Sequence, residues 1–236
     1  MTNSRCAALR IVMVLALSGA ALALAAEPQD HDHPRNHDDL ETELIQYHDD
    51  GTYDRLLREV AARVIAHLRE EAPKVKKPAL VLDIDETALS NWPKLRANHF
   101  AFFPTGPCDL LPAGPCGEDT WERLGVDAAL EPVQTIYRAA RSIGVTVFFI
   151  TGRNETFRAA TEQNLHNAGY PVWAQLYMEP EGSHFSSAVD FKSPRRKEIE
   201  DQGYTIIANV GDQQSDLTGE AQKQGFRLPN PFYFIP

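Results

Sequence analysis

Three carboxylates fall within four residues, Asp83, Asp85 and Glu86, in the stretch KKPALVLDIDETALSN, directly after the apolar run Ala79–Leu82. Side chains two apart on an extended chain share a face at roughly 6–7 Å. Asp83 and Asp85 therefore point the same way while Ile84 turns into the core. Two anions held that close repel, and each makes the other harder to ionise. A divalent cation between them removes the conflict. An all-oxygen site with few protein ligands suits Mg2+, which keeps several waters and takes one or two carboxylates plus a phosphate oxygen. Other apolar runs end in residues that complete such a site. GDQQSD, after YTIIANV, adds Asp212 and Asp216. TGRN, after VTVFFI, adds Thr151, Gly152 and Arg153, and FKSPRRKEIE adds Lys192. Thr151 brings a hydroxyl to a helix entrance, where free N–H groups favour anions. Gly152 permits close backbone approach, and Lys192 supplies a compact cation. Lys197 competes with Lys192, but its position within RRKEIE suits a solvated helix face. Singly, each residue also fits a plain role: DID as a solvated turn, Thr151 as a helix cap, Lys192 as a surface lysine. Together they point to metal-assisted phosphoryl transfer.

Such a set needs a scaffold that delivers several strand ends to one edge. Leu56, Leu57, Val60, Val64, Ile65 and Leu68 recur at three- and four-residue spacing and predict a helix over 52–71. A strand over 79–84 follows. Residues 88–131 differ: five prolines, two cysteines and the aromatics Trp92, Phe100, Phe102, Phe103 and Trp121 predict an irregular insertion with short helices. Alternation then resumes. Helices are expected from Pro132 to near Gly144, over 155–168, from an N-cap at Ser193 to Gly203, and up to Gln224. Strands are expected over 145–150, 172–178, 204–210 and 232–236. Alternating strand and helix at this spacing predict an α/β fold, a parallel sheet covered on both faces. Its ligands should bind at the carboxyl ends of the strands.

The chain has 236 residues, 43% of them hydrophobic, enough for one domain with a core. Arg5 and Arg10 precede the apolar run 11–24, which ends in small residues, so 1–26 reads as a secretory signal peptide. The run is short for a membrane span and no stop-transfer flank follows. No cysteine stands near the cleavage site to carry a lipid. Removing 1–26 takes two arginines and no acid, leaving 21 basic against 33 acidic residues, a net −12. That charge argues against a docked nucleic-acid polymer as partner. Residues 27–39, EPQDHDHPRNHDD, read as a disordered arm, with weak metal scavenging as the alternative. Cys108 and Cys116 are expected to pair in an oxidising compartment, with two free thiols as the alternative. Closing so short a loop is worth roughly 2–3 kcal/mol in the chain-entropy account.

DIDET, FFITGRN, FKSPRRKEIEDQGY and ANVGDQQSDL, in that order, resemble the four motifs of the haloacid dehalogenase (HAD)-like phosphatases. More narrowly they resemble the superfamily's exported acid phosphatases, the group with plant acid phosphatases, vegetative storage proteins and bacterial class B and C enzymes. The likeness covers about residues 40–236. It implies a Rossmann-like three-layer α/β/α domain with a small cap inserted at about 88–131. It also implies a periplasmic or secreted Mg2+-dependent acid phosphatase acting on small phosphomonoesters. On that resemblance Asp83 attacks phosphorus and becomes an aspartyl phosphate. Asp85 protonates the leaving oxygen and later takes a proton from water. Thr151, Gly152 and Lys192 hold the phosphoryl oxygens. Asp83, the backbone carbonyl of Asp85 and Asp212 bind Mg2+, while Asp216, Thr87 and Arg153 support them. As an acid, Asp85 needs a raised pKa or an acidic medium, which predicts an acidic optimum. Most of the insertion's aromatics are expected to form its own small core, with stacking on a flat leaving group as the alternative. Two other functions fit the same motifs: a phosphotransferase, and a storage or binding protein that has kept Asp83.

Overall fold

A computed structural model describes residues 34–183 and 185–236; the expected signal peptide and residues 27–33 lie outside the described residues. Asn36–Pro236 form one compact unit. Residues 37–39, expected within the disordered arm, are helical. Asn36 caps helix α1 (His37–Asp49) by accepting from Asp38 N, so His37, Asp38 and Asp39 belong to its first turn. Acidic residues suit that end of a helix. Helix α2 (Thr52–Glu71) has the expected bounds and buries Tyr53, Leu57, Val60, Ala61, Val64 and Leu68 along one stripe.

The central sheet has five parallel strands: β1 (Pro78–Leu82), β4 (Thr146–Asn154), β5 (Gln175–Glu179), β6 (Thr205–Gly211) and β7 (Gly225–Arg227), in the order β5-β4-β1-β6-β7. Successive side chains on a strand face opposite ways, and both faces are used. Leu80, Leu82, Val147 and Phe149 join the core beneath α2 and α5 (Glu131–Ser142). Ala79, Val81, Phe148 and Ile150 pack with Phe191 and Ile199 of helix α7 (Ala188–Asp201) on the other face. This is the three-layer α/β/α arrangement expected of near-continuous apolar strands. Leu82 lies opposite Phe149 on one side and Val210 on the other. The segments that follow β1, β4 and β6 therefore emerge at one edge.

Between β1 and α5 the chain makes a ribbon of β2 (Leu89–Ser90) and β3 (Ala128–Ala129), antiparallel, enclosing helices α3 (Trp92–Ala97) and α4 (Glu118–Leu124). Cys108 and Cys116 are disulfide-bonded within it. Its aromatics divide. Trp121 is buried and Trp92 stacks on His48 of α1. Phe100 stacks on Phe232 near the C-terminus. Phe102, at 73% exposure, lies open.

Four expected elements differ. Helix α7 begins at Ala188, with Ser193 and Pro194 inside it. Ser-Pro resembles a helix start, but packing of Phe191 on the sheet carries the helix a turn further back. Strand β4 runs on to Asn154 because Asn154 pairs with Glu179 of β5, so Thr151 sits in a strand and not at a helix entrance. After a 3-10 turn, helix α6 (Arg158–Asn167) follows. Helix α8 (Gln214–Leu217) is only four residues long. The Arg196 guanidinium binds the carbonyls of Asp216, Thr218 and Glu220, which draws those groups out of a helical ladder. Residues 232–236 make no strand. They lie across the sheet edge, where Gln213 accepts from Ile235 N at 3.1 Å and Ser215 donates to Ile235 O at 3.2 Å.

Candidate active site

Asp83 leaves β1 buried, its N–H donating to Val210 O at 3.0 Å. Lys192, from the second turn of α7, donates to Asp83 Oδ1 at 2.6 Å and to Asp216 Oδ1 at 2.5 Å. Asp83, Asp212 and Asp216 each present a carboxylate oxygen within 4.8 Å of the others. Three buried acids thus face one buried ammonium. Burying unpaired charge is costly, and the imbalance is visible in the acids. Burial, against the pull of Lys192, pushes Asp83 well above the usual carboxylate range. Burial and then the charge of Asp216 push Asp212 up to about 6. Lys192 goes the other way: burial opposes its charge, yet Asp216 and Asp83 outweigh that and hold it above the usual lysine value. An all-oxygen, negatively charged pocket of this kind fits a hard divalent cation such as Mg2+.

The loops fix these groups. Asp212 Oδ2 accepts from Gln213 Nε2 and from Asn230 Nδ2, both at 2.6 Å, and its Oδ1 accepts from Thr87 Oγ1 at 3.3 Å. Asp216 Oδ2 accepts from Gln213 N at 2.9 Å, closing a reciprocal cap on α8. Asp216, expected as a support beside the metal ligands, is one of the three clustered acids. Arg196 makes no contact with the cluster's carboxylates; it holds the loop that carries Asp216. Lys197 lies on the exposed face, paired with Asp201.

Asp85 is set apart from that cluster. Arg153 donates to it through Nε at 3.1 Å and Nη2 at 2.7 Å, and Asn91 Nδ2 donates at 3.0 Å. Burial pushes Asp85 up, but the Arg153 charge and these hydrogen bonds more than reverse it and hold its carboxyl well below the usual range. Of the two routes expected for Asp85 as an acid, a raised pKa or an acidic medium, the bidentate basic partner leaves the acidic medium. Thr151 is fully buried, and its hydroxyl accepts from Arg153 N at 3.1 Å, which leaves its own proton to donate. Gly152 is exposed to the cavity, and a Cβ there would meet only Glu179 Oε1, at 3.8 Å.

A cavity of about 670 Å3 opens above Asp83, Asp85, Lys192 and Asp212, within the usual size of a small-ligand site. Its far wall comes from the insertion, through Lys94, Phe102 and Glu122, and its rim from Phe185 and Phe234. Several of these groups carry no sequence signal. Asn91, which holds Asp85, and Asn230, which holds Asp212, stand in ordinary loop contexts. Gln213 had one: with Asp216 three residues on, it has the spacing of a capping box.

A five-stranded parallel sheet with acids after β1 and β6, a Thr-Gly-Arg near the end of β4 and a lysine from α7 defines a HAD-type scaffold. The chain belongs to the HAD superfamily, subfamily IIIB (acid phosphatase), whose profile matches residues 12–236. It is 34% identical over 156 residues to acid phosphatase 1 of Solanum lycopersicum, covering 66% of this chain and 58% of that protein. It is 33% identical over 162 residues to the stem 28 kDa glycoprotein of Glycine max, covering 67% and 61%. The matches thus span about three-fifths of each curated relative. The fold matches the class C acid phosphatase of Bacillus anthracis with a TM-score of 0.65 at 22% identity, covering 84% of this chain and 86% of that one. No described helix is long and apolar enough to cross a membrane.

Proposed function

We propose that this chain is an exported, Mg2+-dependent acid phosphatase that hydrolyses small phosphomonoesters through a phosphoryl group carried on Asp83. The observation that carries the reading is the buried cluster of Asp83, Asp212, Asp216 and Lys192 at the floor of a cavity. Asp83, Asp212 and the backbone carbonyl of Asp85 would hold the metal, with Asp216 beside them. Bound Mg2+ would offset charge on the phosphoryl oxygens and lower the repulsion between phosphate and acids.

In the first half, an Asp83 carboxylate oxygen attacks phosphorus in line with the ester oxygen. The free O–H of Thr151 and the Lys192 ammonium stabilise the oxygens of the transferring group. Asp85 gives its proton to the departing oxygen. In the second half Asp85 takes a proton from the water that attacks phosphorus, and Asp83 is released. Asp85 is ionised at neutral pH beside Arg153. A phosphate anion arriving next to it raises its proton affinity, and an acidic medium does the rest. An acidic optimum therefore follows from substrate charge and medium, not from a raised pKa in the free protein. Export is supported by the arginine-flanked apolar run at 5–24 and by the Cys108–Cys116 bond, which persists in oxidising compartments.

The test is hydrolysis of p-nitrophenyl phosphate from acidic to neutral pH, with Mg2+ or with EDTA, beside Asp83→Asn. The expected result is metal-requiring activity that drops on the order of a thousandfold or more in the variant. Undiminished activity in Asp83→Asn would sink the mechanism.

A further inference from the structure

Asp127 is a buried acid that the cluster above does not use. It stands just before β3, where the insertion returns to the core. Its backbone is held independently of its side chain. Asp127 N donates to Asn164 Oδ1 at 3.0 Å, and Asn164 Nδ2 donates to Asp127 O at 2.7 Å. The carboxylate makes one hydrogen bond among the described residues, from Arg153 Nη2 to Oδ2 at 3.3 Å, and Oδ1 is buried without a partner. Burial accordingly pushes this acid up to about 6. A position kept only for packing would be cheaper as an apolar residue. What the carboxylate gains is a grip on Arg153, whose side chain is fully enclosed. The same nitrogen, Nη2, also donates to Asp85 Oδ1 at 2.7 Å and, with Nε, makes the bidentate contact to that carboxylate.

The geometry points to Asp127 as a positioning residue for the hydrolysis proposed above: through Arg153 it holds the Asp85 carboxyl where the leaving oxygen departs. The inference rests on that reading of the site. In the step concerned, the Asp83 oxygen–phosphorus bond forms as the phosphorus–ester oxygen bond breaks. The electron pair of the broken bond goes to the ester oxygen, which takes the proton of Asp85. Arg153 is pinned between Asp127 on the insertion and Asp85 on the core, so it cannot swing away with the substrate's negative charge. Asn91 restrains the same carboxyl from a second side, and its own amide is oriented by Trp121 Nε1, which donates to Asn91 Oδ1 at 2.7 Å. Removing the Asp127 carboxylate leaves Arg153 and Asp85 as a neutral pair, so no lone buried charge is created.

A leaving oxygen that is strongly basic needs the Asp85 proton; one that is weakly basic does not. The experiment compares glycerol phosphate with dinitrophenyl phosphate, using Asp127→Ala and the nearly isosteric Asp127→Asn, with thermal melts of each. The expected result is a fall in kcat/KM of about tenfold or more on glycerol phosphate, carried by kcat, with little change on dinitrophenyl phosphate. Asp127→Asn, whose amide oxygen can still accept from Arg153, should recover part of the loss. An equal loss on both esters, or none on either, would overturn the assignment while leaving the phosphatase reading intact. If Asp83→Asn proved as active as the parent, the reading and this inference would fall together.

Discussion

Glu122 shows how one side chain carries a pH dependence. It lies in α4, 8% exposed, with its carboxyl toward the cavity and near Asp85, Arg153, Glu118 and Lys94. Burial, then the charge of Asp85, push it up to about 8. In the unfolded chain a glutamate titrates at about 4.3. Between those values the native state binds the proton and the unfolded state does not. Stability therefore falls as pH rises across that window. Glu122→Gln carries no such term. The variant should match the parent near pH 4 and exceed it by a few kcal/mol at pH 8, since each pKa unit is worth about 1.4 kcal/mol. Denaturant melts at the two pH values measure this. A difference that does not change with pH would refute it. The Asp127 prediction belongs to the same scale, because a single carboxylate is asked to act through a single guanidinium.

At the scale of elements, what matters is how tightly loops must turn at the strand ends. Gly211 ends β6, and a Cβ built there would fall 2.4 Å from Asp216 Oδ2 and 2.5 Å from Asp216 Cβ. The short helix α8 folds back over the strand end, and only glycine leaves room for it. Gly211→Ala should push Asp216 off Lys192, lowering kcat/KM by about tenfold or more and reducing the melting temperature. Parent-like kinetics would show that the loop yields without moving the acid. Helix α7 makes a related point. Its early start places Lys192 within the helix, so the lysine reaches the acids from a rigid element.

Across the whole molecule, residues 109 apart in Asp83–Lys192 and 125 apart in Thr87–Asp212 meet in one cluster. Folding must bring like charges together against their repulsion, so a cation that binds only the folded chain should stabilise it. At a hundred times its Kd, Mg2+ would add about 2.7 kcal/mol, or about 5–10 °C in melting temperature for a domain of this size. Melts in Mg2+ and in EDTA test this beside Asp212→Asn, where the shift should shrink to near zero. A shift of parent size in that variant would put the metal elsewhere.

Much of this was legible along the chain because it depends on local period and local chemistry. The apolar spacing of α2, the apolar runs of β1, β4 and β6, and acids and glycine at the strand ends determined a parallel α/β sheet with a charged edge. Contacts between distant segments are another matter, and only the tertiary structure decided them. Pro194 looks like a helix start until Phe191 is seen packing on the sheet. Residues 218–224 look helical until Arg196 takes their carbonyls. Whether Asp85 has a raised pKa stays open along the chain until Arg153, 68 residues on, forks onto it. Asp127 and Asn91 carry no local mark at all. The reason is physical: propensity and periodicity are properties of neighbours in sequence, whereas a charge's state is set by whatever the fold places within a few ångströms of it.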